Sequence, residues 1–496
     1  MIKHIDTFLN NITMYRLMLY GLFLEAVYAM TLAALHRIDY SIVQMLLSIF
    51  ILIFVSFGTN VLFSKLTRAI INAESMFITA LLLFFILDPS VTSLRDAGVL
   101  ALAAVLAQAS KYVFAIGQKH VLNPVAASAF LLDVFGFSVV TWWVATPWMF
   151  PVALIFGLMV VRKIRRFEEV GAFVLVATTV ALLRGISFQS FFLSWPVVFF
   201  ATLMLTEPRT APALKREQIL FGAGVGGLFS SGFVIGQIAS TPEFALIVGN
   251  VFAYVVSSRD VLLLTFKSMT CETEQICDFV FTPNKPLHFK PGQYLEWTLP
   301  LHKTDDRGNR RYFSIASAPS DTEIHLGMRV DRAHASSFKQ QLLVLKPGDT
   351  IVASHLAGEF ILPNDERQKL VFIAGGIGIT PFRSMLRYLA NTKQKRNIIL
   401  FYCANTPQDF AYKKEFDELC DQVGMCSICV VQKPSEGWTG ESGFITKEVI
   451  EKDVPDYRDR MFYFSGPPMM VENYVKLVRS MGVPRGKIKT DYFPGF

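Results

Sequence analysis

The chain has 496 residues, a formal net charge of +7 and 52% hydrophobic residues, and its mean hydropathy is +0.41. That length exceeds what one core serves, so roughly two to four domains are expected, and the hydropathy excludes an ordinary soluble composition. The positive charge does not point to nucleic acid, because much of it sits on loops between apolar runs, as cytoplasmic membrane loops require.

Apolar runs fill the chain up to about residue 258. Crossing a bilayer as a helix takes roughly 20 apolar residues. About ten stretches are candidate spans: 15–35, 42–63, 75–87, 97–116, 125–143, 147–161, 170–183, 191–205, 220–235 and 244–256. Several are short and interrupted by Gly or Pro, which predicts broken or re-entrant helices among them. With the amino terminus inside, Lys65, Arg68, Lys111, Lys119, Arg162, Lys163, Arg165, Arg166, Arg209, Lys215 and Arg216 face the cytoplasm. Arg37, Arg95 and Arg184 fall outside, in keeping with the positive-inside rule. An even number of spans then returns the chain to the cytoplasm at Arg259. The expected setting is the cell inner (cytoplasmic) membrane, multi-pass and surrounded by lipid, with the amino terminus and everything after residue 258 cytoplasmic. No cleavable signal peptide is read at the amino terminus.

Two loops stand apart: Lys119-His120-Val121-Leu122-Asn123-Pro124-Val125-Ala126-Ala127 and Leu205-Thr206-Glu207-Pro208-Arg209-Thr210-Ala211-Pro212. Asn123-Pro124 opens an apolar helix, and a helix start offers backbone donors to anionic or carbonyl groups. Thr206-Glu207-Pro208 leaves a carboxylate where a span has to stop. These loops resemble the Asn-Pro-Ala-Ala and Thr-Asp-Pro-x-(Thr/Ser)-x-Pro signatures of a family of flavin-binding membrane subunits. Its members are the D subunit of the Rnf complex and the B subunit of the sodium-pumping NADH:quinone oxidoreductase, and the resemblance covers roughly residues 15–255. It implies a membrane flavin or quinone site at Asn123, Pro124, Thr206 and Glu207, with a second flavin (FMN or riboflavin) as cofactor. The family's Asp…Ser-Gly-Ala-Thr segment, whose threonine carries covalent FMN, has no counterpart, so that flavin is expected to be non-covalent. Only His4, His36 and His120 fall in this half, unpaired at helical spacing, and heme is not expected. Glu25 and Asp133 are acids inside apolar runs, which marks them as functional candidates.

Residues 257–260 alone separate the last span from a different pattern. Strand-like runs at 261–267, 276–281, 294–299, 311–316, 323–330 and 350–354 alternate with turns such as Pro291-Gly292-Gln293-Tyr294 and Lys346-Pro347-Gly348-Asp349. That spacing predicts a small antiparallel β-barrel. Arg311-Tyr312-Phe313-Ser314 brings together an arginine suited to a pyrophosphate, a ring that packs on a flat aromatic and a hydroxyl. Continued by Ile315-Ala316-Ser317, it resembles the FAD signature of the ferredoxin–NADP reductase superfamily. The resemblance implies FAD held by Arg311, Tyr312, Phe313 and Ser314, with Arg329, Ser336 and Ser337 at a helix start, and Gly358 of Gly358-Glu359-Phe360.

The apolar strand 370–374 then leads into Gly375-Gly376-Ile377-Gly378-Ile379-Thr380-Pro381 and a helix. Glycines let the backbone approach a pyrophosphate, and Pro381 suits a first helical turn; strand, loop and helix together read as a dinucleotide site. Met461-Phe462-Tyr463-Phe464-Ser465-Gly466-Pro467-Pro468-Met469 resembles the family's Cys-Gly-Pro-Pro-x-Met nicotinamide segment, with Ser465 replacing the cysteine. The NADH or NADPH residues so implied are Gly375, Gly376, Gly378, Thr380, Pro381, Asn405, Gly466, Pro467 and Met469. Arginine is missing from the loop Ala404-Asn405-Thr406-Pro407, where NADPH-preferring members carry it, which leans towards NADH. Ser314, Ser465 and the terminal Phe496, which covers the flavin face in this reading, are the expected catalytic residues. The six cysteines lack metal-ligand spacing; no metal is expected, and they read as reduced thiols.

The expected fold class is a multi-domain membrane protein. A polytopic all-α membrane domain (1–258) precedes an antiparallel β-barrel FAD-binding domain (259–365) and an α/β Rossmann-like NAD(P)-binding domain (366–496). The resemblances imply a membrane-bound NAD(P)H dehydrogenase that delivers electrons through FAD to a quinone or a trans-membrane acceptor. A membrane-anchored flavin or ferric reductase is the alternative, and a transporter with a redox-sensing domain the second. Partner subunits are left open.

Overall fold

A computed structural model describes residues 5–6, 8–9, 12–67, 73–116, 119–137, 139–236, 238–256, 261–301, 305, 309–331 and 335–491. The chain forms two compact units, the first ending at residue 257 and the second covering 258–493.

The first unit is helical. Among the described residues its elements include the helices α1 (Met14–Ala34), α2 (Ile42–Thr67), α3 (Ala73–Ile86), α4 (Leu94–Val113), α5 (Pro124–Val134), α6 (Phe150–Ile164), α7 (Phe167–Leu183), α8 (Phe188–Ser194), α9 (Val197–Phe199), α10 (Lys215–Ser231) and α11 (Pro242–Val256). α9 runs on as a π-helical turn, Phe200–Met204. Two short hairpins interrupt the helices, β1 (Ala115–Ile116) with β2 (Lys119–His120) and β3 (Val234–Ile235) with β4 (Ile238–Ala239).

Among the described residues, α1 and α2 alone are long and apolar enough to cross a membrane by length and composition. On that measure the ten expected spans come down to two. The expected run 125–143 stops at Val134, where Gly136 takes a left-handed φ of 79°. The run 191–205 is broken between α8 and α9 at Trp195-Pro196, where proline supplies no backbone donor. α2 has an inverted pattern: it buries Ser48, Ser56, Thr59, Asn60 and Ser64 and exposes Phe50, Phe54, Phe57 and Leu62. A helix on a water-soluble core does the reverse.

The second unit opens with six antiparallel strands, β5 (Leu262–Cys271), β6 (Ile276–Pro283), β7 (Tyr294–Thr298), β8 (Arg310–Ser314), β9 (Ile324–Arg329) and β10 (Thr350–Ala357), in the order β8-β7-β10-β5-β6-β9. The sheet curls until its edges meet, since Ala316 N just beyond β8 donates to His325 O of β9 at 2.9 Å. Leu264, Phe279, Phe281, Leu295 and Trp297 fill the interior, and α12 (Ser337–Leu343) packs Phe338 into it. A parallel sheet follows, in the order β14-β13-β12-β11-β15-β16. Its strands are β11 (Leu370–Gly375), β12 (Ile398–Ala404), β13 (Met425–Val431), β14 (Glu441–Ser442), β15 (Met461–Ser465) and β16 (Ile488–Asp491). Helices α13 (Thr380–Asn391), α14 (Lys413–Val423), α15 (Lys447–Asp453) and α16 (Pro468–Ser480) accompany it. β11 is buried along its whole length, as the unbroken apolar run of a central parallel strand requires. In such sheets ligands bind beyond the carboxyl ends of the strands, where Gly375–Gly378 and Ser465–Gly466 lie.

The cysteine reading needs a correction. Cys271 and Cys277 form a disulfide, because the hairpin between β5 and β6 places them directly opposite each other in the ladder. Cys403, Cys420, Cys426 and Cys429 are free. The tether 257–260, His4, Arg68 and Phe496 lie outside the described residues.

Candidate functional site

A cavity of about 870 Å³ opens in the second unit between the curled sheet and the carboxyl edge of the parallel sheet. From the first side Phe313, Ser314, Gly327, Met328 and Arg329 line it; from the second, Gly375, Gly376, Gly378, Thr380, Asn405, Ser465, Gly466, Pro467 and Met469 do. Residues nominated from separate motifs therefore share one wall. Gly376 takes a φ of +53°, a conformation glycine adopts without cost. A Cβ on Gly378 would stand 2.4 Å from Ser465 O and 2.6 Å from Gly466 N, so the loop lies directly against the end of β15. Pro381 occupies the first turn of α13.

Other nominated residues stand behind the wall. Arg311 is buried, with Nη2 3.3 Å from Asp305 Oδ1 and its guanidinium 5.3 Å over the Phe338 ring. Tyr312 donates to Glu296 Oε2 at 2.8 Å; burial, then the neighbouring Glu296 charge, hold its phenol well above the usual range. Ser336 caps α12 by accepting from Lys339 N. Ser337 N donates to Asp305 Oδ2 at 3.1 Å and its hydroxyl accepts from Asp305 N at 3.0 Å. Gly358 takes a φ of +117° and accepts from Gln293 Nε2 at 3.4 Å.

Several wall residues carry no motif and were missed from sequence. Asp491 is the foremost. It ends β16 opposite Ser465 in the ladder, and its Oδ2 accepts from Ser314 Oγ at 3.2 Å and from Ser465 Oγ at 3.4 Å. Burial pushes its carboxyl up to about 7, against the pull of the two serine hydroxyls. Lys339 also reaches the wall and donates to Arg329 O at 2.6 Å. Arg329 itself donates to Gln275 Oε1 at 3.0 and 2.6 Å. Phe444, 67% exposed at the rim, offers a flat apolar face. Asp409 stands beside Asn405 on the wall.

These residues suit a flavin dinucleotide and a nicotinamide dinucleotide together. Arg329 and Lys339 would supply cationic donors to a pyrophosphate, Phe313 and Ser314 a ring and a hydroxyl, and the glycine loop at the start of α13 a second phosphate cradle.

The first unit gathers its own polar cluster. Asn123 Nδ2 donates to Glu207 Oε2 at 2.9 Å, although 84 residues separate them. His120 Nε2 lies 3.3 Å from Glu207 Oε1, and Thr210 Oγ1 donates to Oε2 at 3.0 Å. Asn123 Oδ1 accepts from Val125 N and Ala126 N at 3.0 Å each. Those helix-start donors, expected to be available to a ligand, are thus used by the Asn123 cap. Pro124 sits at the first position of α5, and Thr206 Oγ1 donates to Thr202 O at 2.7 Å. Among the described residues no cluster of metal-ligating side chains occurs.

Comparison with known proteins agrees with this geometry for the carboxyl-terminal part. Residues 372–476 match the profile of the oxidoreductase NAD-binding domain family. The F subunit of the Na(+)-translocating NADH-quinone reductase of Yersinia pestis is 36% identical over 158 residues, which is 30% of this chain and 39% of that protein. Its counterpart from Neisseria gonorrhoeae is 30% identical over 200 residues, 37% of this chain and 49% of that one. The chain therefore spans less than half the length of these curated relatives. Among solved structures, the Amycolatopsis cytochrome P450 reductase GcoB aligns with 47% of this chain and 70% of its own, at 25% identity and a TM-score of 0.42.

Proposed function

We propose that the chain is an FAD-dependent NAD(P)H oxidoreductase of the membrane, passing electrons from NADH through FAD to a quinone or to an acceptor across the membrane. The observation that carries this is the shared carboxylate of Asp491. It joins Ser314, on the strand with the flavin signature, to Ser465, on the strand with the nicotinamide signature, at 3.2 and 3.4 Å. Bound FAD supplies the hydride acceptor and can release the electrons one at a time. The protein's part is to orient and enclose. Phe313 and Ser314 face one reactant, the Gly375–Thr380 loop and Gly466-Pro467 the other, and Arg329 and Lys339 hold the charged end of the dinucleotide. NADH rather than NADPH is favoured by Asp409, because a carboxylate at the ribose loop repels a 2′-phosphate. Phe444 at the rim suits the adenine end.

The membrane setting is supported by α2, whose polar side chains point inwards and whose phenylalanines point outwards. The likeness of the first unit to the D subunit of the Rnf complex rests on its two loops. The contact between them at Asn123 and Glu207 supports placing the acceptor there, as a quinone or a second, non-covalent flavin. The domain limits 1–258, 259–365 and 366–496 and the cytoplasmic orientation belong to the same proposal.

Purified full-length protein should be yellow, bleach on NADH more readily than on NADPH, and reduce a quinone analogue. Arg329→Ala should lose most of its FAD. A colourless preparation, or one that ignores NADH, refutes the proposal; one flavin per chain instead of two favours a reductase that is merely anchored.

A further inference from the structure

α13 begins at the dinucleotide loop and carries a second polar face that lies outside the cavity wall. Ser384 Oγ donates to Ser317 O at 2.7 Å, and Arg383 Nη1 reaches Ala316 O at 3.5 Å. Arg387 Nε donates to Asp321 Oδ2 at 3.1 Å, and Asn391 Nδ2 donates to Ser320 Oγ at 2.8 Å. These four acceptors belong to 316–321, the segment that leaves β8 two residues beyond Ser314.

Asp278 of β6 is the centre of this seam. It is 5% exposed, accepts from Tyr412 Oη at 3.1 Å and lies 2.6 Å from His325 Nδ1. Arg383 Nη1 is 3.8 Å away. The same guanidinium donates to Glu415 Oε2 at 2.7 Å and lies 4.4 Å over the Tyr412 ring. A Cβ on Gly327, opposite Asp278 in the ladder, would stand 2.5 Å from Thr380 Cγ2 and 2.7 Å from Tyr412 Oη. The seam has no slack. An apolar contact would hold the two halves of this unit together at lower desolvation cost, whereas directional bonds to backbone carbonyls fix a register that apolar contact leaves loose.

We infer that this face of α13, with Asp278 and Arg383 as its node, is a positioning device that sets the separation between Ser314 and the Gly375–Thr380 loop. Neither residue lines the cavity. They act through α13, whose first turn carries the dinucleotide loop and whose body is tied to the segment after Ser314. The inference rests on the NADH-to-FAD reading above.

The test uses the full-length holoprotein and the Asp278→Asn and Ser384→Ala variants. A misplacement of about 1 Å costs roughly 100-fold in a transfer step, so Asp278→Asn should slow flavin bleaching by about 10- to 100-fold. FAD content and NADH Kd should stay within about twofold. The deuterium isotope effect with deuterated NADH should become more temperature-dependent, a signature that loss of stability alone does not produce. Amide hydrogen exchange, read without NADH, should quicken over 316–321 and the first turn of α13 and nowhere else. If Asp278→Asn does not fold, Ser384→Ala decides on the same readouts, with a smaller effect. Unchanged bleaching, or slowing that follows only from lost FAD or weaker NADH binding, overturns the inference. A wild type that NADH does not bleach overturns the underlying reading instead.

Discussion

Replacing Asp491 by asparagine should flatten the pH dependence of the second unit. The carboxyl is buried and pushed up to about 7 from its ordinary 3.8 by that burial. Its folded value lies above its unfolded value, so the folded state binds the extra proton between these limits. Stability is therefore greatest on the acid side and falls as pH rises through that window. At pH 8 burying this group costs about 4 kcal/mol relative to an unburied carboxyl, and at pH 5, where the folded group is protonated, about 2 kcal/mol. The asparagine in the Asp491→Asn variant keeps an oxygen for the two serine donors but brings an amide N–H with no partner assured, a pH-independent cost of about 1–3 kcal/mol. Wild type should thus gain about 2 kcal/mol on going from pH 8 to pH 5 relative to Asp491→Asn, with the variant the more stable above pH 7. Differential unfolding of the two proteins across that range measures it. The rate of flavin bleaching by NADH should inflect near the same pH in wild type only. An identical inflection and an identical stability profile in the variant would refute the reasoning.

Two further outcomes follow from the packing. Gly378→Ala forces a methyl to within 2.4 Å of the Ser465 carbonyl oxygen; overpacking of this kind costs about 1–3 kcal/mol, and NADH Kd should rise by roughly tenfold or more while FAD content holds. In the first unit, Glu207→Ala leaves Asn123 Nδ2 and Thr210 Oγ1 without their acceptor, a loss of about 1–3 kcal/mol. Reduction of a quinone analogue should then fall about 10- to 100-fold with flavin bleaching by NADH unchanged; parallel loss of both activities would move the acceptor site elsewhere.

What the sequence disclosed follows from how each feature is encoded. The strands of the second unit were legible because alternation and turn residues mark a curled antiparallel sheet, and β11 because an unbroken apolar run marks a central parallel strand. Ser314 and Ser465 were legible through local motifs. Asp491 was not, because its role arises from register: β16 lies beside β15 with Asp491 opposite Ser465, and no residue adjoining Asp491 in sequence announces that neighbour. Lys339 was hidden in the same way, one helical turn beyond the serines that drew attention. The cysteines misled, because a pair six apart in sequence is read as two thiols until a hairpin sets them face to face.

The first unit is harder to read for a physical reason that also supports its setting. In the membrane setting proposed above, lipid tails are as apolar as leucine, so small and polar side chains add specificity to the packing between helices. Two contacts fit that reading. Asn123 N donates to Asn250 Oδ1 at 2.7 Å, tying α5 to α11 at one end, and Trp142 Nε1 donates to Glu243 Oε2 at 3.1 Å near the other. A hydropathy profile averages such residues away, and it cannot see that Asn123 and Glu207 belong to one cluster. These polar residues tie helices together within a large apolar core, and removing one should disturb helix packing more than removing an outward phenylalanine such as Phe54.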